Sequence, residues 1–203
     1  MLTRSFDELL ATPSVVVAFH SSNGHTEVLA GALARGAGPD TVLVAVDAMP
    51  ETQWAELDRA DAIVFGAPTY LGGASSAFHA FAEASSGRYR AQAWQDKLAA
   101  GFTTSSARAG DKSATLAYLA LFAAQHGMHW INLGHKPGKD DNELNRLGFW
   151  LGATASCPIG TGPADVHETD IATAAHLGAR VAETAAIFVA GRATLRRADT
   201  SVG

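Results

Sequence analysis

The sequence predicts a doubly wound α/β domain, five parallel strands in the order 2-1-3-4-5 with helices on both faces. Three observations predict it. Strand-sized apolar runs alternate with helical patterns along most of the chain, which is how a parallel sheet covered on both sides is built. The runs are continuous rather than alternating in polarity, as strands buried on both faces require. The loops that leave three of these strands are small, hydroxyl-rich and glycine-containing, and in an open sheet of this class ligands sit at that carboxyl edge.

The first strand covers 14–20, Ser14-Val15-Val16-Val17-Ala18-Phe19-His20, and a helix follows at once with Val28, Leu29, Ala32 and Leu33 on one face. Residues 41–46 form the second strand, 51–58 a short helix, and 62–67 a third, fully buried strand. A helix is expected over 75–85, a fourth strand over 98–103, and a helix over 111–126 that aligns Leu116, Leu119, Ala120 and Ala123. The fifth strand is placed at 128–133 and the last helix at 168–190, with Ile171, Ala175, Gly178, Ala182 and Ala185 at helical spacing. The stretch 135–157 reads as one long irregular segment, and loops of that length in compact domains are functional or mobile. One domain is expected over 1–203, its core over 14–190 and its polar tail, 192–203, mobile.

Composition narrows the function. Of 203 residues, 47% are apolar and 17% charged, and the net charge of −5 gives no reason to expect a nucleic acid or an anionic membrane as partner. No apolar stretch is long enough to span a bilayer, and the N-terminus lacks a basic start followed by an apolar run, so a cytoplasmic location is expected. The single cysteine, Cys157, excludes an intramolecular disulfide and a CxxC redox pair, so any redox chemistry must come from a bound cofactor. His126, His129 and His135 share no helical face and no cysteine or carboxylate pattern completes a zinc set; no metal is expected.

The loop after the first strand carries the most chemistry. Ser21, Ser22, Asn23, Gly24, His25 and Thr26 lead straight into a helix, whose free N–H groups and dipole favour an anion. The turn contains no Lys, so it is not a triphosphate-binding P-loop, and it lacks the three-glycine dinucleotide fingerprint. What remains is a cradle for one terminal phosphate monoester, with flavin mononucleotide the first candidate. An ordinary βα turn with a helix cap reads the same residues without a ligand. Two more loops fall at the same edge: Gly66-Ala67-Pro68-Thr69-Tyr70-Leu71-Gly72-Gly73 after strand three, and Thr103-Thr104-Ser105-Ser106-Ala107-Arg108-Ala109-Gly110 after strand four. Tyr70 offers an aromatic face, and the hydroxyls of the third loop make it too polar for core.

Three elements, Ser21-Ser22-Asn23-Gly24-His25-Thr26-Glu27, Phe65-Gly66-Ala67-Pro68-Thr69-Tyr70-Leu71-Gly72 and Gln125-His126-Gly127-Met128, resemble the WrbA-like NAD(P)H:quinone oxidoreductases of the flavodoxin superfamily. The similarity runs from about Val15 to Phe188. It implies a flavodoxin-like fold and bound FMN, with NADH or NADPH as electron donor. Ser21 to Thr26 would then hold the phosphate. Pro68, Thr69, Tyr70, Leu71 and Gly72 would flank the ring, and Thr104, Ser105, Ser106, Ala107, Arg108 and Ala109 would line its ribityl and pyrimidine side. His126 matches a family histidine contributed to the site in the assembled oligomer, and Tyr89 an aromatic residue that stacks substrate. The partners implied are a quinone-like acceptor and further copies of the chain, in a homodimer or homotetramer. The third loop departs from the family, being less glycine-rich, as does the stretch Asp141-Asn142-Glu143-Leu144-Asn145-Arg146-Leu147-Gly148. The chemistry implied is flavin-centred, with no catalytic side chain: hydride arrives from NAD(P)H and two electrons leave to a quinone at the same face. A one-electron carrier and a flavin-free binding module are the alternatives, because fold alone does not decide between them.

Overall fold

Residues of the first apolar run point alternately to two different cores. In β1 (Val15–Phe19), Val15, Val17 and Phe19 pack with Leu29, Leu33, Leu177 and Val181, while Val16 and Ala18 pack with Val44, Leu57, Ile63 and Phe65. Both sets are apolar because helices cover both faces, and this is why the run shows no polar alternation. The structure is a computed structural model describing residues 12–47 and 49–200.

β1 sits between β2 (Val42–Ala45) and β3 (Ala62–Tyr70), parallel to both. β3 continues the sheet to β5 (Leu98–Ser105), and β4 (Gly73–Ala74) folds back antiparallel on the end of β3. With β6 at His129–Trp130, the parallel order is β2-β1-β3-β5-β6. With the short β4 set aside, this is the expected 2-1-3-4-5 arrangement. α1 (His25–Ala37) and α6 (Glu168–Thr200) cover one face. α2 (Glu51–Arg59), α3 (Ser76–Ala84) and α5 (Lys112–Gln125) cover the other, over an aromatic cluster that includes Phe65, Phe78, Phe81, Trp94 and Phe122. α4 (Ser86–Arg90) is a short helix that carries Tyr89. α1 and α6 meet backbone to backbone: a Cβ on Gly36 would lie 2.0 Å from the Ala175 carbonyl oxygen, and one on Gly178 would lie 2.1 Å from that of Leu33.

Three elements depart furthest from expectation. β3 runs on through Pro68 to Tyr70, with Pro68 still in register opposite Thr104. The fifth strand is split. β6 (His129–Trp130) pairs with the start of β5, and β7 (Ala153–Ser156), inside the stretch read as irregular, pairs with its end. The chain between them leaves the sheet edge and returns, Leu133 N–H bonding the Trp150 carbonyl at 3.0 Å. That insert is organised by Asn145, 3% exposed with φ +57°. Its amide donates to the His135 carbonyl, its Oδ1 accepts the Phe149 N–H, and its own N–H donates to Thr173 Oγ1, each at 3.0 Å. Finally, α6 passes the expected end at Ala190 and continues to Thr200; residues 201–203 of the expected tail lie outside the described residues. No helix among the described residues is long and apolar enough to cross a membrane.

Candidate functional site

The three loops come together at the carboxyl edge of the sheet and wall a cleft of 290 Å³. Ser22, Asn23, His25 and Thr26 line one side, Pro68, Thr69 and Tyr70 the second, and Thr104, Ser105 and Ser106 the third. A fourth wall, Cys157 to Thr161, follows β7.

Among the described residues, the backbone N–H groups of 21–26 donate to no protein acceptor; the first donors after them are Glu27, to Ser21 Oγ at 3.2 Å, and Val28, to the Gly24 carbonyl at 3.0 Å. These six donors surround the start of α1, and among the described residues no Asp, Glu, Lys or Arg side chain lines the cleft. Free N–H groups at a helix start are the donor set that an anion needs. Gly24 shapes it with φ +81°, and a Cβ there would lie 2.5 Å from Pro163 Cγ. His25 lends more than its N–H. Its Nε2 lies 3.1 Å from the Thr161 carbonyl, which can only accept, so Nε2 carries the hydrogen and the ring ties the fourth wall to the first.

Hydroxyls brace the cleft floor. Thr26 Oγ1 and Thr104 Oγ1 meet at 3.0 Å in a buried contact that joins the first and third loops. Thr69, 7% exposed, has its hydroxyl 2.8 Å from those of Thr103 and Thr115, which makes it a strut. Ser21 and Gly24 shape the first turn rather than line the cavity. Leu71 (φ +49°) and Gly72 (φ +86°) turn β3 back into β4 at the rim, with Leu71 wholly exposed.

Ala107, Arg108 and Ala109 continue the third loop past Ser106 and are not among the residues that line the cleft. Arg108 makes a two-pronged ion pair with Asp141 of the insert, with Nη1 to Oδ2 at 3.2 Å, so its charge faces a carboxylate. Those bonds hold the Asp141 carboxyl down to about 2. Asp141 also meets Arg146, which grips the buried Asp170 through two bonds of 2.7 Å; Asp170 in turn accepts the Ser156 N–H at 3.2 Å. Beneath the loop, Lys112 is fully buried and donates to the carbonyls of Ala107 and Arg108 at 2.6 and 2.9 Å. Burial pushes the Cys157 thiol up to about 11, so it stays protonated.

His126 and Tyr89 stand elsewhere in the protomer. They line a separate cavity of 480 Å³ between α3, α4 and α5, with ring centroids 6.0 Å apart. His126 is 2% exposed, and its Nε2 meets Ser85 Oγ at 3.0 Å. Its buried Nδ1 has no hydrogen-bond partner among the described residues. Burial lowers its pKa to about 4, so the ring is neutral at neutral pH.

Comparison with known proteins agrees with the fold. Residues 39–135 match the family model described as NADPH-dependent FMN reductase. A flavodoxin, FldP, of Pseudomonas aeruginosa is 37% identical, covering 82% of this chain and 94% of the relative. A protein of Archaeoglobus fulgidus named NAD(P)H dehydrogenase (quinone) is 34% identical, covering 84% and 96%. Among solved structures, a flavodoxin, WrbA-like protein from Agrobacterium tumefaciens is 41% identical with a TM-score of 0.71, covering 85% of this chain and 97% of that one. The chain belongs to the WrbA-like family of the flavodoxin superfamily. The chemistry of that family is flavin-dependent oxidoreduction, with FMN and NAD(P)H as its cofactors. An archaeal flavodoxin at 19% identity and TM-score 0.55 shares the fold alone.

Proposed function

We propose that this WrbA-like chain is an FMN-dependent oxidoreductase of the cytoplasm that passes two electrons from NADH or NADPH to a quinone-like acceptor. The observation that carries the reading is the run of six N–H groups at 21–26 without a protein acceptor among the described residues, set at a helix start in a cleft that no charged side chain among those residues lines. A phosphate dianion fits that donor set, and no lining carboxylate opposes it. Ser22, Asn23, His25 and Thr26 would hold the phosphate, Pro68 and Tyr70 would flank the ring, and Thr104 to Ser106 would take its polar edge. Bound FMN would supply the acceptance of hydride and the return of two electrons, which no side chain here can perform. The protein's own part is binding and orientation. Tyr70, 44% exposed, offers a stacking face at the mouth, and Leu71 and Ile159 give the mouth an apolar rim.

The second cavity supports a shared site. A buried imidazole nitrogen without a partner and the half-exposed Tyr89 beside it are groups that a second copy could complete, in a homodimer or homotetramer. The one-electron carrier remains the second reading, favoured by the flavodoxin name of the 37%-identical relative.

Steady-state kinetics on FMN-loaded protein decide between them. Quinone and nucleotide using one face in turn give parallel double-reciprocal lines, and Tyr89→Ala lowers quinone turnover more than FMN retention. Intersecting lines would replace the shared face with a ternary complex. Failure of both NADH and NADPH to reduce the loaded protein would leave the carrier as the better account. A scattering mass equal to one chain at full activity would remove the shared site.

A further inference from the structure

The loop behind Ser105 and Ser106 has a polarity of its own. Among the described residues the N–H groups of 106–110 donate to no protein acceptor, while the carbonyls of Ala107 and Arg108 both accept from Lys112 Nζ. The described chain contains no cis peptide, and a trans peptide sets the carbonyl of one residue antiparallel to the N–H of the next. Drawing the carbonyls of Ala107 and Arg108 down to the ammonium therefore turns the N–H groups of Arg108 and Ala109 to the opposite side of the loop.

Lys112 is an expensive way to brace a turn. It is fully buried, lies 5.6 Å from the centre of the Phe149 ring, and hydrogen-bonds no carboxylate among the described residues. A buried ammonium satisfied only by neutral carbonyls opposes folding relative to an apolar residue of the same length. Burial lowers its pKa to about 8, which still leaves it charged at neutral pH. What the ammonium obtains at this place is the orientation of two peptide units at the cleft edge.

We propose that Lys112 is a positioning residue for the flavin ring: by holding the carbonyls of Ala107 and Arg108, it presents the N–H groups of Arg108 and Ala109 to the acceptor atoms of the ring's pyrimidine edge. The proposal rests on the reading of the cleft as an FMN site. It assigns the ring to a loop that this chain builds with few glycines, and replaces the flexibility of glycine by a charge held below the loop.

Two measurements test it. The first needs no variant: amide chemical shifts of the wild-type apoprotein are followed while FMN, or riboflavin, which lacks the phosphate, is added. Both ligands should move the Arg108 and Ala109 amides, and FMN alone should strongly move those of 21–26. If 21–26 respond to FMN while Arg108 and Ala109 stay still, the proposal is wrong and the FMN site survives. If no amide of either loop responds, the FMN site itself fails and the proposal falls with it. The second measurement is flavin affinity by fluorescence quenching. Lys112→Met should weaken FMN and riboflavin by the same factor, about tenfold, the worth of roughly one hydrogen bond to the ring once the loop no longer holds its N–H groups in place, and Lys112→Gln, which keeps an N–H donor, should recover part of the loss. Wild-type affinity in Lys112→Met, or a loss for FMN alone, would overturn the assignment.

Discussion

The turn at 21–26 and the loop at 104–110 are joined across one cleft by the 3.0 Å Thr26–Thr104 hydroxyl contact, yet different forces build them. The turn is shaped by uncharged groups: the left-handed Gly24, the Ser21 hydroxyl that takes the Glu27 N–H, and the His25 ring bonded to the Thr161 carbonyl. The loop is held by charges, with Lys112 beneath it and Arg108, Asp141, Arg146 and Asp170 in a chain beside it. The difference follows from what each must do. A cradle for a dianion cannot carry carboxylates, and a lysine there would make affinity depend on one flexible side chain. In the proposed site the loop would present neutral donors to a neutral ring edge, so its charges can sit behind the peptide planes, out of the ligand's reach.

Breaking the buried end of the charge chain should have the largest effect. Arg146→Met leaves Asp170, 1% exposed, without its two 2.7 Å partners. An uncompensated buried carboxylate costs about 3–5 kcal/mol. Chemical denaturation should show that loss as a lower midpoint with an unchanged slope. A loss below about 1 kcal/mol would mean that water reaches Asp170 once the arginine is gone.

The turn should break differently, in binding before stability. Gly24→Val forces a branched side chain into φ +81° and into Pro163, which stands 2.5 Å from any Cβ there. FMN affinity should fall by about a hundredfold or more, close to 3 kcal/mol, because strain of that size displaces the donors themselves. Riboflavin affinity should change far less, since in the proposed site the turn would meet only the phosphate. An equal loss of both ligands would mean that the turn also sets the ring, and the division between the two loops would fail.

The same contrast decides what can be read from sequence. The turn is written in consecutive residues, Ser21 to Thr26 between an apolar run and a helical pattern, so its chemistry is legible in the sequence itself. The sheet order is legible too, because Val15–Phe19 and Ala62–Tyr70 are apolar on both faces. The fourth wall is not. β7 is Ala-Thr-Ala-Ser, four small residues with no apolar signal of their own, and they form a strand only because the end of β5 offers a free edge. Once β7 is placed, the carboxyl-edge rule that locates the other loops puts 157–161 at the cleft as well. The charge chain is illegible for another reason: Arg108, the Asp141–Arg146 stretch and Asp170 are far apart in sequence, and nothing local marks any of them as paired. In sequence Lys112 is an ordinary first-turn helix residue, and only its burial sets it apart.

The smallest effect is expected at the outer end of the chain. Arg108 and Asp141 have side chains 62% and 51% exposed, so water screens their attraction and salt weakens it further. Asp141→Asn should change riboflavin affinity less than about twofold at physiological ionic strength, with a larger effect only at low salt. The pH dependence has a definite sign. The Asp141 pKa is about 2 in the folded protein, below the ordinary carboxylate value of 3.8, so whatever the pair contributes is fully present above that ordinary value and disappears as pH falls through about 2. Between pH 5 and 8 wild type and Asp141→Asn should therefore differ by a constant factor. A tenfold loss that persists in concentrated salt would show the insert gripping the loop from outside, and Lys112 would no longer be what sets it.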